Sequence, residues 1–260
     1  MLINDSPNFL LTIGYGRSGS SLLANILNQH PNFLITNEFR FLQKYYHSTK
    51  KKKDEIELLN SLIKTANMEY TNGSIKLLNN QRDHKEINIK IPKEKILYYG
   101  DKKSGGNTTV FIKDSLFCEQ FMNEHKNIKI IINIRNPFNI MKSIKKSKFF
   151  NRHSSFIKCH DKSSDEEIFQ DILYYQNYSI NFYKKYQNRC FILYYDNIIN
   201  DTNNTTKNLL SFLNVKYIKE LNNIVNSSKK EDNMIPNIYF KFIDLIIDKE
   251  NIPFIERYIQ

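Results

Sequence analysis

The segment Gly14-Tyr15-Gly16-Arg17-Ser18-Gly19-Ser20-Ser21 constrains this chain more than any other. It follows the apolar run Asn8–Ile13 and opens the amphipathic stretch Ser20–Gln29. The chain has only 7 glycines, and three of them fall within these few positions. Glycine at a strand-to-helix joint permits a tight turn and close backbone approach. The free N–H groups at the start of the helix then face outward as an anion cradle. A Walker loop reads Gly-x-x-x-x-Gly-Lys-Ser/Thr. Gly14 and Gly19 keep that glycine spacing, but Ser20 stands where the lysine belongs and the cation has moved to Arg17.

Further short runs rich in Ile, Phe, Leu and Tyr recur at Phe33–Thr36, Val110–Ile112, Ile128–Ile134 and Cys190–Tyr195. Their length and two-sided apolar character predict buried parallel strands. Between them, Ser115–His125, Pro137–Lys146, Asp165–Tyr186 and Thr202–Leu213 carry apolar residues at three- and four-residue spacing and predict helices. The alternation predicts an α/β fold of three layers, a central parallel sheet flanked by helices. With 260 residues and no Pro/Gly/Ser linker, one domain over 1–260 is expected. Asn67–Glu94 has weak periodicity and is read as an insertion or acceptor-contacting segment. Lys50–Lys53 is read as a solvated run entering a helix with an acidic first turn.

A second cluster lies at Ile130-Ile131-Ile132-Asn133-Ile134-Arg135-Asn136-Pro137. A strand ends here in a cation, with Asn136 as N-cap and Pro137 at the first helical position. Ser143 follows two helical turns later, and helical side chains tilt toward the N-terminus, so Arg135 and Ser143 are expected to face one phosphate. A nucleoside triphosphate kinase needs a strand-end Asp for magnesium. Arg135 takes that place here and points to a donor met by cations and hydroxyls without a metal.

Together, Gly-Tyr-Gly-Arg-Ser-Gly-Ser-Ser and Arg135-Asn-Pro…Ser143 resemble the 5′-phosphosulfate loop and 3′-phosphate motif of sulfotransferases that use 3′-phosphoadenosine-5′-phosphosulfate (PAPS). Phe191–Asp196 and the helix ending at Leu213 resemble the same family's Tyr-Tyr-Glu strand and its later helix. The resemblance covers about 8–215 of the chain. It implies a P-loop-like sulfotransferase fold with PAPS held by Gly16, Arg17, Ser18, Gly19, Ser20, Ser21, Arg135 and Ser143, and Tyr195 bordering the adenosine. Thr36-Asn37-Glu38-Phe39-Arg40 is similar to protein-tyrosine and glycolipid sulfotransferases. This implies Glu38 as general base, with Arg40 as its organiser or an acceptor contact. Arg17 is placed to stabilise leaving-group charge. A lysine assisting the sulfuryl oxygens is Lys102, in the Gly-Asp-Lys signature, or Lys113, at the more familiar distance from Arg135.

His30 reads as a cap or packing residue, and His153 and His160 as acceptor-side residues. The loop with Ser227, Ser228, Lys229 and Lys230 reads as solvated and basic. The formal charge of +11 favours an anionic partner. No nucleic-acid motif accompanies it, so a basic nucleic-acid-binding protein is the third reading, behind a P-loop nucleotide kinase. Cys118, Cys159 and Cys190 lie far apart and are read as reduced structural thiols. No apolar run reaches membrane-spanning length, and the opening residues lack a secretory pattern, so a cytoplasmic protein is expected. The acceptor is a hydroxyl on a glycan, glycolipid, small alcohol or tyrosyl peptide, and the oligomeric state stays open.

Overall fold

A computed structural model of the chain describes residues 8–48, 52–71, 95–147, 163–219 and 221. Ser227–Lys230, His153, His160, Cys159 and most of Asn67–Glu94 lie outside them. The described elements run β1 (Asn8–Gly14), α1 (Ser20–Asn28), β2 (Phe33–Thr36), α2 (Phe41–His47), α3 (Lys52–Thr71), β3 (Tyr98–Asp101), α4 (Ser104–Lys113), α5 (Ser115–Glu124), β4 (Lys129–Ile134), α6 (Pro137–Ser147), α7 (Asp165–Lys185), β5 (Cys190–Tyr194), α8 (Tyr195–Asn200) and α9 (Thr202–Phe212).

The five strands form one sheet in the order β2-β3-β1-β4-β5. Every neighbouring pair is parallel. Alternate residues along a strand face opposite sides, so each strand feeds two cores. Leu11, Ile13, Ile130 and Ile132 pack with residues of α2 and α4 to α7. Leu10 and Ile131 pack with Leu23, Ile26 and Leu27 of α1 and with Leu209 and Leu210 of α9. These are the three layers the sequence predicts.

The third strand is not where the sequence places it. Val110–Ile112 lies inside α4, with Val110 and Phe111 buried against the sheet. A three-residue apolar run has no period of its own, and packing of the helix against β1 decides its state. The strand is Tyr98–Asp101 instead, which ends in the Gly-Asp of the Gly-Asp-Lys signature. Gly100 is required there by close packing: a Cβ would stand 2.8 Å from the Leu10 carbonyl oxygen and 2.7 Å from Ile35 Cδ1. Part of the Lys50–Lys53 run is helical, since α3 begins at Lys52.

The connection from β1 leads to β2 on one side of the sheet, whereas that from β4 leads to β5 on the other. The adjacent strands β1 and β4 therefore flank a topological switch point, where open α/β sheets bind ligands beyond the strands' carboxyl ends.

Candidate active site

All five strands deliver residues to that one edge. From β2 outward, the strand ends lead into Glu38, Lys102 and Lys103, the Gly14–Ser21 loop, Arg135, and Tyr195.

The loop after β1 makes two left-handed turns, at Arg17 (φ 71°) and Gly19 (φ 99°). Gly19 is the N-cap of α1 and offers no side-chain cap. The first intrahelical bond is Leu23 N–H to the Gly19 carbonyl, at 3.1 Å. The amides ahead of it have no acceptor within the helix and stand ready for an external anion. Ser18 turns inward: it is 2% exposed, and its hydroxyl donates to the Tyr15 carbonyl at 2.6 Å, so its side chain shapes the loop. The Gly14 N–H donates to Thr108 Oγ1 at 2.7 Å, which ties the loop to α4.

Arg17 is the meeting point of the two clusters. Its Nε donates to Ser143 Oγ at 3.0 Å, while its carbonyl accepts from Arg135 Nη1 at 2.6 Å. Ser143 therefore joins Arg17 directly, and Arg135 reaches the same place from β4. The Arg135 guanidinium also lies 4.3 Å from the centre of the Tyr195 ring, at cation–π distance. Helix α7 braces both clusters: Tyr15 Oη donates to Asp171 at 3.1 Å, and Gln176 Nε2 donates to the Arg135 carbonyl at 2.6 Å.

Lys102 connects the glycine-loop half of the site to the carboxylate half. The residue is 5% exposed, and its ammonium donates to Ser21 Oγ at 3.0 Å and stands 3.8 Å from Glu38 Oε1. Burial pushes its pKa down, and the Glu38 charge pulls it back up. Lys103 donates to the other oxygen of Glu38 at 2.7 Å. Lys113 is exposed at the last position of α4, about 13 Å along the axis from the end that abuts the loop. Arg40 is exposed at the N-cap of α2. The partners of Glu38 shown at this site are thus Lys102 and Lys103. Sequence reasoning assigns Lys103 no role, and only the turn after β3 reveals that both lysines face one carboxylate.

His30 is buried near the far end of α1. Its Nδ1 accepts from Asn32 N–H at 3.2 Å and its Nε2 donates to the Lys216 carbonyl at 2.8 Å, a packing role. A strand-end aspartate does exist beside β1, namely Asp101, contrary to the reading from β4 alone. It is fully buried and bonded within the protein: Oδ2 accepts from Phe41 N–H at 2.7 Å and Oδ1 lies 3.1 Å from Thr36 Oγ1.

A glycine loop opening a helix, two arginines and a serine converging on it, and a lysine–glutamate pair beside it define a phosphate-loop-like α/β protein with a cluster of cations next to a carboxylate. The chain matches the sulfotransferase family over residues 10–219 and belongs to it. No curated protein sequence matches the chain. Its fold is similar to the sulfotransferase domain from the curacin biosynthetic pathway, with TM-score 0.52 and 14% identity over 95% of this chain and 86% of that one. It is also similar to a sulfotransferase from Alicyclobacillus acidocaldarius, with TM-score 0.51 and 11% identity over 97% of this chain and 92% of that one. The protein is a sulfotransferase with the P-loop-like α/β fold.

Proposed function

We propose that the protein transfers a sulfuryl group from PAPS to a hydroxyl acceptor, with Glu38 as general base and Lys102 as the cation at the transfer point. One observation carries this reading: the Lys102 ammonium lies between Ser21, in the first turn of the loop helix, and Glu38. It stands where the donor-holding half meets the proton-accepting half.

The residues suit the donor. The uncapped N-terminus of α1, Arg17 and Lys102 present amides and cations to a 5′-phosphosulfate. Arg135, Arg17 and Ser143 present theirs to a 3′-phosphate, and Tyr195 offers an aromatic face. When bound, PAPS supplies an activated sulfuryl group on a phosphate leaving group. Glu38 Oε1 or Oε2 takes the proton of the acceptor hydroxyl. Lys102 and Arg17 hold positive charge where negative charge grows, and cost no reorganisation because bonds to Ser21 and Ser143 already fix them. Lys103 orients Glu38. Metal is not required in this scheme, since cations fill the role and the Asp101 carboxylate is spent on the protein's own groups.

Glu38 is exposed at the rim, which suits a hydroxyl presented on a glycan, glycolipid, small alcohol or tyrosyl peptide. Labelled PAPS incubated with pools of these acceptors should yield labelled product. Glu38→Gln should cut the rate about 100-fold or more while leaving affinity for 3′-phosphoadenosine-5′-phosphate (PAP) within about twofold. Preference for ATP with magnesium over PAP in a calorimetric titration would replace this reading with the kinase one.

A further inference from the structure

Residues 37–41, which carry the general base, have an unusual backbone. Among the described residues only four non-glycines have positive φ, and two of them are Glu38 (66°) and Arg40 (64°). Left-handed backbone at a non-glycine residue costs of order 1 kcal/mol or more and persists only where surrounding bonds enforce it. The enforcing bonds are visible. Two of the amides flanking these residues go to carboxylates: Asn37 N–H to Glu69 Oε2 of α3 at 3.1 Å, and Phe41 N–H to Asp101 Oδ2 at 2.7 Å.

We infer that Asp101 is a positioning residue for catalysis, whose buried carboxylate holds the Phe41 amide at the end of this turn and so fixes Glu38 in the conformation that meets Lys102 and Lys103. This rests on the proposed role of Glu38 as base. Asp101 does not touch the acceptor or the donor, since it is 0% exposed and bonded to Thr36 and Phe41. The placement follows from the sheet. Thr36 and Asp101 are register partners at the ends of β2 and β3, so the strand that delivers Lys102 also delivers, one residue earlier, the group that shapes the Glu38 turn. Glu69 holds the outer end of the same turn from α3. The charged groups around this turn are Glu38, Lys102, Lys103 and Glu69. Asp101 alone among the carboxylates here is fully buried.

The test is a double-mutant cycle read in initial transfer rates with labelled PAPS and the pooled acceptors, with PAP affinity measured in parallel. Asp101→Asn should lower kcat about tenfold or more, with PAP affinity within about twofold. In a Glu38→Gln background it should cost less than about twofold further, because its effect runs through that carboxylate. Thr36→Val, which removes a hydroxyl 3.1 Å from both Asp101 Oδ1 and the Gly100 carbonyl, should give a smaller kcat loss in the same direction and serves if the Asn variant fails to fold. Hydrogen exchange of the peptide spanning 37–43 should quicken in Asp101→Asn, while exchange across 14–22 stays unchanged. Full additivity of the two substitutions, or a parallel collapse of PAP affinity, overturns the positioning role and leaves Glu38 as base. Unimpaired transfer by Glu38→Gln alone overturns the base assignment and the positioning role with it.

Discussion

Gly19 carries two constraints at once. Its φ is 99°, and a Cβ there would stand 2.5 Å from Tyr195 Cδ2. Gly19→Ala should therefore lower stability by about 1–3 kcal/mol, seen as a reduced urea midpoint, and should also weaken PAP binding by displacing the ring beneath Arg135. Lys102 and Lys113 are told apart by position alone. Lys102→Met should remove at least about 100-fold of transfer rate, while Lys113→Met, on the exposed end of α4, should stay within about twofold, measured side by side. Asp101 also leaves a signature in stability. Burial raises its pKa from 3.8 to about 6, against the pull of the Phe41, Thr36 and Phe39 bonds, with the Glu38 charge adding to the rise. A carboxyl whose folded pKa is raised contributes stability that is complete below pH about 4 and is lost as pH rises through about 6, here about 3 kcal/mol. Asp101→Asn should thus be less destabilising at pH 7.5 than at pH 4.5 in urea titrations. A difference of the opposite sign would contradict the burial argument.

At the scale of elements, α7 shows how one helix secures both the glycine loop and the Arg135 turn. It starts with a capping box between Ser164 and Glu167, with three acidic residues in the first turn and Lys184 and Lys185 in the last, so its ends are well defined. From that rigid base Asp171 holds Tyr15 behind the glycine loop, and Gln176 holds the Arg135 carbonyl. Removing a buried partner leaves the other group unsatisfied, which costs about 1–3 kcal/mol. Gln176→Leu should accordingly weaken PAP binding about tenfold with little change in acceptor KM, a split that calorimetry and initial rates would resolve. Helix α4 makes the complementary point. Its Val110–Ile112 run has strand-like composition, but Asn107 and Thr108 bond to the backbone of β1, at 2.9 Å to Thr12 O and 3.0 Å to Gly14 O, and these contacts settle it as a helix.

For the molecule as a whole, five parallel strands converge on one edge, so the charges borne by Arg17, Arg135 and Lys102 gather at one face. A ligand that binds only the folded state at 100 times its Kd stabilises by about 2.7 kcal/mol. PAP should do this in thermal unfolding, and high salt should reduce the gain because exposed cation–phosphate contacts are screened. The glycine loop, its Arg17, and the Arg135-Asn-Pro turn with Ser143 were legible in the sequence. Their chemistry depends on local signals: glycine spacing, an N-cap followed by proline, and apolar runs with a clear period. Glu38 was legible as a carboxylate just past a strand. The inward turn of Ser18, the pairing of Ser143 with Arg17, the closeness of Lys102 to Ser21 and Glu38, the entry of Lys103 and the burial of Asp101 were not. Each depends on strand order, which places β3 between β2 and β1 and so brings Lys102 beside both Ser21 and Glu38. Local pattern encodes a turn whose amides can meet an anion. Which side chains from distant strands stand beside that turn is decided only when non-local pairing closes the sheet.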